Sequence, residues 1–149
     1  MIITLNIQYD EGVTQALMDE VRLGCQAAMA YRFASIVNQN FGFSGEDRPE
    51  DWKPLSYQYA KEFHDGNRIP TLQLTGDLQQ SIQIEDNNPE AATVWTDCPY
   101  AVKHQYGDES TNLPARPFFP IVGDSLTAYA EAECVAAAQN ELERILARQ

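Results

Sequence analysis

Apolar and polar positions alternate at the start of the chain, where Ile3, Leu5 and Ile7 are separated by Thr4, Asn6 and Gln8. A period of two predicts a half-buried strand over residues 1–8, broken by the Tyr9-Asp10-Glu11-Gly12 stretch. From Val13 to Asn40 the period lengthens. Val13, Leu17, Val21, Cys25, Ala28, Met29, Ile36 and Val37 recur at steps of three and four, which predicts one long amphipathic helix with a single apolar stripe. Gly42 supplies a stop, and Ala27, Ala28, Ala30 and Ala34 are small enough to let another element approach closely.

The middle of the chain is punctuated more often. Residues 44–54 are polar and broken by Pro49 and Pro54, so they read as a loop whose one large apolar group, Trp52, folds back on the body. A short helix is expected from Ser56 to His64, ended by Asp65-Gly66. Gly76 turns the chain within Leu-Thr-Gly-Asp-Leu, a place for a positive φ or a close backbone approach. Residues 81–85 and 91–96 carry strand patterns on either side of Asp86–Glu90, a strong turn signal, so a hairpin is expected from Gln80 to Thr96. Pro99 sits at a first helical position and Gly107 at a stop, which predicts a short helix between them. Residues 114–123 read as extended. A second long helix is expected from Asp124 to Arg148, capped by Asp124 or Ser125, with Arg144 and Arg148 suited to the negative end of its dipole. Strand, long helix, broken middle, hairpin, short helix and long helix make an α+β fold: a small, mostly antiparallel sheet packed against two long helices. No repeat or linker divides the sequence, so residues 1–149 are read as a single domain.

The composition narrows the partners. The net charge is −12, with 22 acids against 10 bases, and no segment is basic. That argues against sequence-specific or wrapping contact with nucleic acid. No stretch approaches the roughly 20 apolar residues that span a bilayer, and the first residues do not resemble a secretory leader. Cys25, Cys98 and Cys134 are odd in number and far apart; they fit reduced thiols in a cytoplasm.

Candidate chemistry is sparse. The two histidines, His64 and His104, have no partner at a metal-ligand spacing, so no metal or other cofactor is expected. Glycine-rich phosphate loops are absent. A Cys98–His104 nucleophile pair would need a third group to orient the imidazole, and no catalytic residue is assigned; a small hydrolase built on Cys98 and His104 is kept as an alternative. The stretch Pro-Ala-Arg-Pro-Phe-Phe (114–119) is unusual in another way. Pro117 biases Arg116 toward an extended backbone, and Pro114 fixes its own φ. The segment is stiff before it meets anything, and its guanidinium offers a planar fork to a carboxylate or to carbonyls. Phe118 and Phe119 point to opposite sides if extended, one into the core and one toward a neighbour. Either Arg116 pins the 108–113 loop to its own domain with both rings in the core, or Arg116, Phe118 and Phe119, with Trp52, meet another subunit. The second reading is adopted, since aromatics and Arg are enriched at interfaces. Gly76 and Gly107 are taken as backbone turn positions.

Four segments in order carry a resemblance: Trp52, Pro54 and Leu55; Leu72, Thr75, Gly76, Leu78 and Ser81; Tyr100, Ala101, His104, Gln105 and Gly107; and Pro114, Ala115, Arg116, Pro117 and Phe118. Together they resemble the phage virion morphogenesis family, the tail completion proteins of Mu-like tailed phages and prophages. The resemblance implies a structural, non-enzymatic protein that acts at the head–tail junction or tail end, found in the host cytoplasm during assembly and then in the tail or neck of the virion. It implies a homo-oligomeric ring, with a hexamer as one size, through whose lumen DNA passes, and contacts with other tail or connector proteins. Family members often carry an arginine-rich stretch between the first two segments; here residues 56–71 hold only Lys61 and Arg68, which argues against DNA contact there. A monomeric adaptor binding a protein partner is the remaining alternative.

Overall fold

The computed structural model describes residues 1–5, 14–42, 44–67, 72–88 and 90–148. Its elements are β1 (Ile2–Leu5), α1 (Gln15–Asn40), α2 (Tyr57–Phe63), α3 (Asp77–Gln80), β2 (Gln83–Glu85), β3 (Ala92–Trp95), α4 (Ala101–Tyr106), a 3-10 turn (Glu109–Thr111), β4 (Ile121–Val122), β5 (Ser125–Leu126) and α5 (Ala128–Leu146). Helices with short antiparallel strands make this the α+β class that the periodicities predict. The expected continuation of the first strand through Ile7 and Gln8, and the helix start at Val13, lie outside the described residues. The chain divides into two compact units, one of Met1, Ile36–Ile82 and Thr96–Thr127, the other of Ile2–Ser35, Gln83–Trp95 and Ala128–Gln149.

In the second of these units β3 is the middle strand of a three-stranded sheet ordered β1-β3-β2, both pairings antiparallel. Ile3 and Ile84 both register against Val94. Val94 and Ala92 are fully buried, as a central strand's inward face requires. The helices of this unit pack through the apolar stripe read from the sequence: Val21 and Cys25 of α1 meet Ile145 of α5, flanked by Leu17, Ala138 and Leu142. Small residues set the approach. Gly24 has space for nothing larger than hydrogen without movement, because a Cβ there would lie 3.0 Å from Ile145 Cδ1. The two buried thiols donate across the same seam, Cys25 Sγ to the Ala138 carbonyl at 3.4 Å and Cys134 Sγ to the Met29 carbonyl at 3.6 Å. Burial pushes both thiols up, that of Cys134 to about 11, so neither behaves as a reactive thiolate. Arg32 bridges to Glu133 at 2.6 Å at the edge of the seam.

In the first unit a side-chain cap sets the start of α2. Ser56 accepts from the Tyr59 N–H at the start of α2, and Asp65 and Gly66 follow it with φ of 51° and 82°. Gly76, with φ 79°, leads into α3, a single turn that the sequence pattern does not announce. The largest departure lies at residues 121–126. They were expected to run straight into a helix beginning at Asp124, but Ile121 pairs with Leu126 and Val122 with Ser125 in a tight hairpin. Gly123 at its tip has φ 62°, the Gly-x order of two-residue hairpins. The Thr127 N–H then closes back on the Pro120 carbonyl at 2.9 Å, so α5 begins only at Ala128.

The α1–α5 seam makes a test. Ile145 is 1% exposed and Leu146 is 51% exposed. Ile145→Ala is expected to lower unfolding free energy by about 2–5 kcal/mol, and Leu146→Ala to stay within about 0.5 kcal/mol, as urea denaturation would report.

Candidate functional site

The strap Pro114–Pro120 holds three prolines in seven residues. Prolines lack the N–H that a sheet ladder needs, yet residues 116–120 are all buried, where unpaired backbone groups are costly. Side chains and carbonyls from several segments fill the gap. The Arg116 N–H donates to the His104 carbonyl at 2.6 Å. Gln105, at 3% exposure, accepts from both the Phe118 and Phe119 N–H through Oε1 and donates through Nε2 to the Phe119 carbonyl, each at 3.0 Å. Trp52 Nε1 donates to the Pro117 carbonyl at 2.8 Å, and Asn40 Nδ2 to the Phe118 carbonyl at 3.0 Å.

Asn40 and Arg48 extend the network. Asn40 Oδ1 also accepts from the Glu46 and Asp47 N–H groups, which folds the loop after α1 onto the helix end. Arg48 donates to the Asn40 carbonyl at 2.6 and 2.8 Å and to the Gly42 carbonyl, capping the negative end of α1. Its guanidinium lies 3.9 Å from the Trp52 ring centroid, a cation–π contact. Trp52 meets Phe41 edge-on at 6.0 Å, and Phe41 meets Phe118 at 5.3 Å.

Trp52, Arg116, Phe118 and Phe119 are therefore brought together, but inside one unit of the subunit. Both phenylalanine rings are fully buried. The picture of one ring facing a neighbour is corrected on this point: the strap is covered on both sides, so opposite-pointing rings both meet protein. Among the described residues, Arg116 makes no hydrogen bond or ion pair to an acid. Its Nε donates to the Lys53 carbonyl at 2.8 Å and its Nη2 to the Pro54 carbonyl at 3.4 Å, tying the strap to the Trp52 loop. Gly107, with φ 79°, is required twice over, since a Cβ would lie 3.0 Å from both the Ala115 nitrogen and the Leu113 oxygen. Gly76 also has a positive φ.

Beside the strap is a cavity of about 820 Å³, whose walls include Leu55, Tyr59, Leu74, Leu78, Tyr100 and His104, with Arg116 among them. That volume is in the range of ligand sites. Burial lowers the Arg116 pKa, which the nearby Tyr59 partly offsets. Burial first, and the Arg116 charge second, lower that of His104. Tyr100 stacks edge-on against His104 at 5.7 Å, and its hydroxyl is pushed up to about 12, chiefly by its hydrogen bond with Cys98. His104 Nδ1 is buried without a hydrogen-bond partner among the described residues. Among the described residues, no three His, Cys, Asp or Glu side chains come together as a metal site, and no helix is long and apolar enough to cross a membrane.

Asn40, Arg48 and Tyr59 are the site residues that sequence reasoning missed. A family model, the phage virion morphogenesis family, matches residues 13–142. No curated protein and no solved structure matches the chain.

Two outcomes follow from this geometry. Gln105→Leu strands two buried N–H groups and one carbonyl, each worth about 1–3 kcal/mol, and is expected to lower unfolding free energy by at least about 3 kcal/mol in urea titration. Because the folded His104 pKa lies below its ordinary 6.5, the unfolded chain binds its proton first as pH falls. His104 therefore removes stability as pH drops through 6.5 toward the lower folded value. Urea midpoints for wild type and His104→Gln at pH about 7.5 and about 5.5 should show the larger acid-induced drop in wild type.

Proposed function

Because the chain belongs to the phage virion morphogenesis family, we propose that it completes the tail or joins it to the head, and that it works as a non-catalytic ring. Membership makes it a virion-associated assembly protein; the junction, the ring and the absence of catalysis are the reading argued here. One observation carries it. The polar side chains that look most like chemistry, Arg116, Gln105 and Trp52, are bound to backbone carbonyls and amides of their own unit. They hold a rigid scaffold rather than await a reacting atom. Assembly surfaces then fall to exposed apolar groups. Tyr57, Phe63, Val102 and Tyr106 are between 48% and 70% exposed, and tyrosine is among the residues that dominate binding energy at interfaces.

A ring needs one patch to meet a different patch on the next copy. With a net charge of −12, a lumen lined by the acidic surface would repel DNA and let it pass. Head or connector proteins and tail proteins are the partners on either side. A phage lacking only this protein should accumulate filled heads beside unattached tails in electron micrographs, and supplying the protein in trans should restore joined particles. Complete, infectious particles in its absence would overturn the reading.

A further inference from the structure

We infer that the cavity beside the strap is a docking site for a peptide segment of a partner protein that carries a glutamate or aspartate between apolar side chains. The inference deepens the assembly reading and rests on it only for the partner's being a virion component.

The starting point is a buried cation that has no counter-ion among the described residues. Arg116 is 4% exposed. Its hydrogen bonds among the described residues run to two carbonyl oxygens through Nε and Nη2, while Nη1 makes none. A buried charge is ordinarily paired with an opposite one. Here the chain offers more than two acids for each base, yet the one group that raises the guanidinium's pKa is the Tyr59 phenol. Arg116 also lines the cavity, so an incoming carboxylate would meet a guanidinium that is already fixed in place. Both of its bonds to carbonyls leave the third nitrogen available, and a pre-positioned donor adds affinity because little side-chain entropy is lost on binding.

The walls say what must flank that carboxylate. Leu55 and Leu78 are buried in the lining, and Leu74 and Tyr59 are exposed at 49% and 41%. The apolar surface does not stop at the mouth. Tyr59 stacks on Phe63 at 4.8 Å between centroids, and Phe63, one turn further along α2, is exposed at 48%. A small carboxylate would leave most of the cavity empty and those rings in water. A peptide that seats its acid on Arg116 and lays apolar neighbours on α2 covers both. The complementarity is therefore one fixed cation beside apolar area, the arrangement in which Arg and Tyr anchors carry interface energy.

The full-length chain can be titrated in ¹H–¹⁵N spectra with the blocked tripeptide acetyl-Leu-Glu-Phe-amide and with its Gln twin. The Glu peptide should shift the Arg116 side-chain Nε–H and the Leu78 and His104 amides, with the Gln twin at least about tenfold weaker. Leu74→Asp, at an exposed wall position that leaves the strap network intact, should weaken the Glu peptide by a similar factor. Equal response to the two peptides, no response up to millimolar concentration, or binding unaffected by Leu74→Asp overturns the inference. So does concentration-dependent self-association in sedimentation that Leu74→Asp abolishes, which would assign the cavity to a second copy of the chain. Peptide binding that fails while loss of the protein still leaves heads and tails unjoined removes the docking site alone. Binding that succeeds while particles form without the protein removes the assembly role alone.

Discussion

A proline-rich strap cannot satisfy its own backbone, and one unit of this protein is arranged around that constraint. Pro114, Pro117 and Pro120 exclude the strap from any sheet ladder, yet its second half is buried. The solution is a set of side chains whose geometry mimics a neighbouring strand. Gln105 is the clearest case: one amide group meets two N–H groups and one carbonyl of consecutive residues, as a backbone peptide would. Trp52, Asn40 and the His104 carbonyl complete the set. Each donor is itself fixed from elsewhere, Trp52 by Arg48 and Phe41 and Asn40 by the loop it folds. The strap is over-determined in this way, and polar networks of that kind specify a single arrangement because a half-satisfied version is so unfavourable.

Much of the frame was legible because it is local. The three-to-four-residue period of Leu17, Val21 and Cys25 gave the first long helix and its inward face, and the same residues form the seam with Ile145. The hairpin of β2 and β3 was readable from its strand patterns and the turn between them. What could not be read was long-range choice. No pattern in β1 says that it pairs with β3, some 90 residues on. The delayed start of α5 had a signal, Gly123-Asp124 as a two-residue turn, but Asp124 and Ser125 are equally good helix caps, and local preference could not arbitrate between them.

At the site the stiffness of the strap was legible and the partner of Arg116 was not. Prolines announce themselves, whereas the Lys53 and Pro54 carbonyls that receive the guanidinium are groups every residue carries. The same reason hid Asn40 and Arg48, both of which bind main chain. Phe118 and Phe119 were read through the rule that neighbours in an extended chain point opposite ways. The rule does not say that only one side of the strap meets protein, and Phe118 packing on Phe41 shows one of the covered sides.

Charge then gives the strap a second meaning. Arg32, Lys103 and Arg144 each sit against a carboxylate, in pairs that are partly or largely exposed and so contribute little to stability. Arg48 and Arg116 both donate to carbonyls, and burial lowers the pKa of each. Arg48 finds further compensation in the α1 dipole, the Trp52 face and the charge of Asp51. Among the described residues, Arg116 has only the phenol of Tyr59. Two copies of a chain with a charge of −12 repel at long range, an effect that salt screens over roughly 8–10 Å. Any association would therefore be decided at contact, where apolar area and a few placed charges act. A cation held rigidly by its own backbone, beside aromatic groups left in water, meets that requirement without adding mobile parts. The rigidity that satisfies the strap is the same rigidity that holds the guanidinium in place, so the fold and the proposed docking would draw on one set of hydrogen bonds.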